Sequence, residues 1–165
     1  KRIFLFLMGK LIWWRVVEND RLFDLRDYNN LTQKAVGELL GVRQQSYGEW
    51  EKGKKIIPLK HLITLAKYYN LSLDYMTGLS KTKDIFQNLD ELDKNDIGKR
   101  IIYLRKIYNI NQKTLAKSLN TSPSTICAYE KGYTTILTAF AYQIAKEYNI
   151  SIDWLVGASN EMKRS

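Results

Sequence analysis

Apolar residues recur along this chain at three- and four-residue spacing in short bursts, and no strand-like alternation competes with them. The pattern predicts five short helices, then five more. A first helix is expected at about 21–28, with a counterpart at about 97–108. Thr32 and Asn111 are good N-caps for a second, because a side-chain oxygen there accepts from the free N–H groups of a helix start. That helix should end near Leu40 and Leu119. The next position is Gly41 in one half and Asn120 in the other. These residue types best tolerate positive φ, so a tight turn is expected at both. A third helix follows at once. In the second half Ser122 is its N-cap and Pro123 its first residue, a place that suits a missing N–H. Gly53 and Gly132 should close this helix as left-handed C-caps. Fourth and fifth helices are expected at 59–69 and 72–76, with equivalents at 138–148 and 151–156. The class is all-α.

The two halves are copies. Sliding the sequence by 79 residues aligns 21–80 with 100–159 without a gap, and about 19 of 60 positions are identical. Leu25 and Arg26 fall on Leu104 and Arg105, and Gln33 and Lys34 on Gln112 and Lys113. Glu51, Lys52 and Gly53 fall on Glu130, Lys131 and Gly132. A unit of about 60 residues is near the lower size limit for folding without metals or disulfides, and two repeats are too few for a solenoid. The expected organisation is an N-terminal apolar extension at 1–17, one domain at 18–80, a linker at 81–96 and a second domain at 97–160. Within the connector, Ile85, Phe86, Leu89 and Leu92 have helical spacing, so part of it is expected to be helical and to fold onto a neighbour. The extension opens on two basic residues and an apolar run, loosely like a signal peptide. Lys10 breaks that run, no small-residue cleavage site follows, and the stretch is too short to span a bilayer. It is read instead as an extra element covering an exposed apolar surface.

Composition narrows the partners. With 45% hydrophobic and 26% charged residues among 165, the chain can bury a core and is not compositionally disordered. Its net charge of +9 points to a polyanionic partner: nucleic acid, an anionic membrane or an acidic protein. The charge is +5 over 1–80, −1 over 81–99 and +5 over 100–165, so it sits on the repeats. A single cysteine, Cys127, permits no internal disulfide and no cysteine-based zinc site, and a single histidine, His61, argues against His-rich metal sites and most catalytic triads. Neither a metal nor a cofactor is expected, and enzymatic chemistry starts at a disadvantage. An intracellular, cytoplasmic protein is expected.

Two helices joined by a short turn inside a basic five-helix domain form a helix-turn-helix. The two helices must cross closely, and the first carries a small residue at its middle in both copies, Gly37 and Ala116. The second must bury one face, for which Tyr47 and Trp50, or Ile126 and Tyr129, sit three apart. Its opposite face carries Gln44, Gln45 and Glu49 in copy one.

At these residues the chain resembles the Cro/C1-type, or XRE, helix-turn-helix family. "LTQKAVGELLGVRQQSYGEWEKGK" and "INQKTLAKSLNTSPSTICAYEKG" carry the family's pattern, and "LSLDYMTG" and "ISIDWLVG" resemble its closing helix. The resemblance implies two tandem five-helix lambda-repressor-like domains that bind double-stranded DNA. It implies roles by position. Gln44 and Gln45 match positions that enter the major groove, where an amide can donate and accept at once, bidentate to adenine. Glu49 could accept from a cytosine N4, although it also repels phosphate. Gln33 and Gln112, at a helix start, would touch phosphate. Lys52, Lys54 and Lys55, with Ser122 and Lys131 in copy two, would flank the backbone. Arg26 with Glu51 and Arg105 with Glu130 match a buried ion pair typical of the family. Arg43 stands where a small capping hydroxyl is expected, so a cap is lost and a cation gained at the groove edge.

Copy two has Pro123, Ser124 and Ala128 where copy one has Gln44, Gln45 and Glu49. Ser124 and Thr125 are its candidate base readers, a poorer set. Three roles stay open for it: reading few bases, holding phosphates, or dimerising. The leading expectation is a sequence-specific transcriptional regulator of repressor type. It acts either as a covalently joined pseudo-dimer on an asymmetric site or as a homodimer, with no membrane or small-molecule partner. A connector of 19 residues (81–99) reaches across one DNA turn of about 34 Å, given ~3.3–3.6 Å per extended residue. The alternative is a protein-interaction module, antitoxin-like or an anti-repressor. Cys127 is expected to pack, His61 to lie at the surface or near phosphate, and Tyr68, Tyr69, Tyr148 and Trp154 to belong to the core.

Overall fold

The computed structural model describes residues 19–87, 89 and 91–164. The expectations placed on residues 1–17 lie outside them. The chain divides into two compact units between Phe86 and Gln87. The first contains α1 (Asn19–Tyr28), α2 (Gln33–Leu40), α3 (Gln44–Glu51), α4 (Leu59–Tyr69) and α5 (Leu73–Met76). The second contains α6 (Lys94–Ile107), α7 (Gln112–Ser118), α8 (Pro123–Glu130), α9 (Thr138–Tyr148) and α10 (Ile152–Leu155). Among the described residues only an isolated antiparallel bridge between Ile150 and Lys163 departs from an all-helical architecture.

The helix starts follow from the caps. Thr32 accepts from the Ala35 N–H at 3.1 Å and Asn111 from the Thr114 N–H at 2.8 Å. Ser122 accepts from the Thr125 N–H at 3.2 Å, with Pro123 opening α8. The turn that ends α2 and α7 uses the expected conformation: φ is +65° at Gly41 and +51° at Asn120. Gly53 and Gly132 also have φ of +65°. Close approach explains the small residue inside α2. A Cβ on Gly37 would lie 3.0 Å from the Val42 carbonyl oxygen, and Ala116, its counterpart, is 1% exposed.

Each unit buries its own core. In the first, Leu22, Val36, Tyr47, Leu62, Leu65, Leu73 and Met76 are at or below 1% exposure. In the second, Ile97, Ile101, Leu104, Leu115, Leu119, Ile126 and Ile152 play that part. Burying a side chain of this size from water is favourable by about 1.5–3 kcal/mol. Trp154 is buried as expected, whereas Tyr68 is exposed and pairs edge-on with half-buried Tyr69.

The connector is helical in part, at its far end. Its described residues from 81 to 93 form no helix, and of the expected linker only 94–96 are helical, as the first turn of α6. Phe86 is buried and Leu89 and Leu92 are half-buried, whereas Ile85 is 68% exposed, so the apolar spacing there reflects a non-helical return that folds back through Phe86. That return is tied by the Ser72 N–H, which donates to the Asp84 carbonyl at 2.8 Å. The second unit repeats the device, with the Ser151 N–H on the Met162 carbonyl at 2.8 Å.

Candidate nucleic-acid interface

The face worth following is that of α3, and its aim is set from beneath. Glu51, at the last position of α3, receives two hydrogen bonds from the Arg26 guanidinium of α1, at 2.7 and 3.0 Å. Gln33, the first residue of α2, donates to the same carboxylate at 3.1 Å. One cluster therefore locks the start of α2, the end of α3 and the end of α1 together. The third fork position of Arg26 donates to the Leu31 carbonyl at 2.7 Å, which fixes the loop between α1 and α2. Burial alone would push the Glu51 carboxyl up, but the bonds from Arg26 and Gln33 outweigh it and hold it below the ordinary range. The bond to Glu51 raises Arg26 in turn. Trp50 stacks on His61 of α4 at 5.2 Å between centroids, and burial lowers the imidazole's proton affinity. His61 is therefore half-buried packing against α3 rather than a surface group.

With Tyr47, Trp50 and Glu51 turned inward, Arg43, Gln44 and Gln45 are left exposed on the outer side of α3. An open groove of about 510 Å³ runs over them, lined also by Gln33, Glu49, Lys52 and Lys54. Amides, a carboxylate and a fringe of cations thus share one concavity. Arg43 makes no side-chain cap bond, so its guanidinium is not spent on the helix start. Glu49 is paired with Lys55 at 2.8 Å.

The second unit keeps the support and changes the surface. Arg105 binds Glu130 in bidentate fashion at 2.5 and 3.2 Å, and Gln112 donates to Glu130 at 2.6 Å. Arg105 also donates to the Ile110 carbonyl at 3.0 Å. On α8, however, the Ser122 hydroxyl lies 2.7 Å from that of Ser124 and 2.9 Å from that of Thr125. These hydroxyls are engaged with one another at the cap. Cys127 is half-buried, and beyond α8 the chain exposes Tyr133 (73%) and Leu137 (57%), with Lys131 over the Tyr133 ring.

Comparison with known proteins agrees with this geometry. Residues 22–76 match the helix-turn-helix family, and residues 98–161 match a second helix-turn-helix domain family. The chain is 40% identical over 81 residues to the uncharacterized HTH-type transcriptional regulator YobD of Bacillus subtilis (strain 168), covering 47% of this chain and 72% of that protein. The chain belongs to the helix-turn-helix family. Its two domains stand in tandem and are of the XRE type, and it is a DNA-binding transcriptional regulator. No solved structure matches it.

In this helix-turn-helix chain, the expected readers Arg43, Gln44, Gln45 and Glu49 share one groove, together with Lys52 and Lys54. Gln33 and Gln112, expected at phosphate, have their amides bonded to Glu51 and Glu130, so they belong at least equally to the support. Lys55, also expected at phosphate, is engaged by Glu49. Two further features escaped sequence reasoning. Arg21 donates to the Tyr75 and Ser80 carbonyls, the latter at 2.8 Å, and Arg100 donates to those of Trp154 (2.8 Å) and Ser159 (3.1 Å). These arginines clamp the closing helix of each domain to its first helix. The signal was present, because Arg21 and Arg100 coincide under the 79-residue shift. The Glu49–Lys55 pair had no such signal, since neither residue recurs in the second copy. Among the described residues no group of three or more His, Cys, Asp or Glu could hold a metal ion, and no helix is long and apolar enough to cross a membrane.

Proposed function

We propose that this DNA-binding regulator is a cytoplasmic, non-enzymatic repressor whose sequence preference is set by α3 of the first domain. The observation that carries this reading is the groove in which Gln44 and Gln45 stand exposed beside Arg43, Lys52 and Lys54. The exposed amides can each donate and accept on an adenine edge, and the surrounding cations can lie along the phosphates on either side. Binding in the major groove at a promoter blocks other proteins from the same edge, which is repression by occupancy. The second domain docks beside the first on the same duplex, contributing Lys131 and the α7 start to the backbone and few base contacts. Joining the heads raises the effective concentration of the second once the first is bound.

Selection of duplexes from a random pool with the full chain tests this reading. The expected product is a strong half-site with adenines and a weaker or absent one at a fixed distance. Binding to the selected duplex should fall steeply with salt, because binding releases counterions from the DNA and that release is less favourable at higher salt. A pool that yields no enriched site would overturn it.

A second reading applies to the second domain alone, and the exposed Tyr133 and Leu137 beside the uncharged α8 face favour it. There the domain joins two chains or holds a partner protein, as in anti-repressor or antitoxin-like modules. Sedimentation of the full chain with and without a selected duplex separates the two: one chain per duplex supports the pseudo-dimer, two chains the dimer.

A further inference from the structure

Glu49 and Lys55 form an ion pair at 2.8 Å, with the carboxylate side chain 27% and the lysine side chain 66% exposed. The backbone reinforces it, since the N–H groups of Lys54 and Lys55 both donate to the Glu49 carbonyl, at 2.8 and 3.2 Å. Glu49 is thus held by the loop behind α3 at its carbonyl and again at its carboxylate. The corresponding backbone bond persists in the second domain, from the Tyr133 N–H to the Ala128 carbonyl at 3.0 Å. There the side chains are Ala128 and Thr134, which cannot pair. The turn therefore forms without the ion pair, and the pair is an addition peculiar to the first domain.

A carboxylate in a surface that approaches a polyanion is repelled unless a cation offsets it. Lys55 supplies that offset while leaving the other carboxylate oxygen able to accept. On base edges in the major groove, a group that only accepts discriminates sharply. Guanine presents two acceptors and thymine an acceptor and a methyl, adenine an acceptor and a donor, and cytosine a donor alone. We propose that Lys55 is a positioning residue that holds Glu49 in the groove as an acceptor, so that the first domain selects cytosine at one position flanking the glutamine-read bases. This rests on the reading of α3 as the base-reading helix.

The test compares the full chain with Lys55→Met, Glu49→Gln and the double variant in random-duplex selection. Affinity for a selected and a scrambled duplex is measured beside it. Lys55→Met should flatten the cytosine preference about five- to ten-fold and leave the glutamine-read positions unchanged, over and above a sequence-independent loss on both duplexes from the uncovered carboxylate. Glu49→Gln should replace cytosine by adenine at that position, and the double variant should match it. If Lys55→Met weakens selected and scrambled binding equally and the cytosine preference stays, Lys55 is a phosphate contact and the proposal falls. An unchanged profile in Glu49→Gln also overturns it. If the unmodified chain selects sites but shows no cytosine at a fixed place, only this inference fails. If it selects nothing, the base-reading role of α3 fails first.

Discussion

In both domains the outward helix is pinned at its C-terminal end by an arginine from the first helix, Arg26 on Glu51 and Arg105 on Glu130. Both pins are joined by a glutamine from the preceding helix. Across this common support the residues on the outward face of the helix itself share nothing. Positions 41–50 and 120–129 contain no identity under the 79-residue shift, while Glu51, Lys52 and Gly53 all recur directly after them. The first domain presents Arg43, Lys52, Lys54 and Lys55 around two glutamines, whereas the second keeps only Lys131 and adds Tyr133 and Leu137. The lesson is that packing and reading are separable demands on one short helix. Its inner face must satisfy a core and a buried carboxylate, and its outer face answers only to a partner.

The comparison breaks most visibly at the pins. Glu51→Ala and Glu130→Ala each leave a half-buried guanidinium without its carboxylate, and each should cost about 3 kcal/mol, the low end for a buried pair, in its own domain. Urea denaturation followed by circular dichroism checks this, and a cost in only one domain would show that the supports are not equivalent. For Glu51 the pH dependence has a definite sign. Its carboxyl is held below the ordinary value, so its contribution is full above an unfolded value of about 4.3 and is lost as pH falls below that through the folded one. Acid titration of the first domain's stability should therefore lose its low-pH slope in Glu51→Gln.

Reading is the next largest effect. Gln44→Ala should weaken binding to a selected duplex by about 1–3 kcal/mol and leave scrambled DNA nearly unaffected. Ser124→Ala, on the second domain, should cost less than about 0.5 kcal/mol, because its hydroxyl is already engaged at the cap. Titration on both duplexes measures this, and equal losses would erase the proposed division of labour. Exchanging the caps is gentler. Arg43→Ser should stabilise the first domain by ~1 kcal/mol, and Ser122→Arg should destabilise the second by a similar amount, both read by thermal melting. The smallest change is expected at the turn. Gly41→Asn copies Asn120 into a position of the same left-handed conformation, and stability should move by less than about 0.5 kcal/mol.

Much of this architecture is legible without coordinates because its determinants are local. Thr32, Asn111 and Ser122 announce helix starts through hydrogen bonds to their own near neighbours, and Gly41 and Asn120 announce the turn through φ. Arg26 and Glu51 are not neighbours, yet duplication exposed them: the same two residue types recur at the same interval of 25. In the connector the spacing of Ile85, Phe86, Leu89 and Leu92 told that it folds back, but the helix itself starts only at Lys94, because the backbone at Asp84 is tied to Ser72 instead.

By itself the sequence determined the helices, their caps, the duplicated support and the residues that face outward from α3. Each follows from chemistry within a few residues or from a pattern stated twice. Tertiary structure decided what those outward residues touch. Gln33 turns to Glu51 instead of remaining free, Lys55 reaches back to Glu49, and His61 stacks on Trp50. Such contacts join side chains brought together by the crossing of helices. They depend on rotamers and distances that no spacing along a chain encodes.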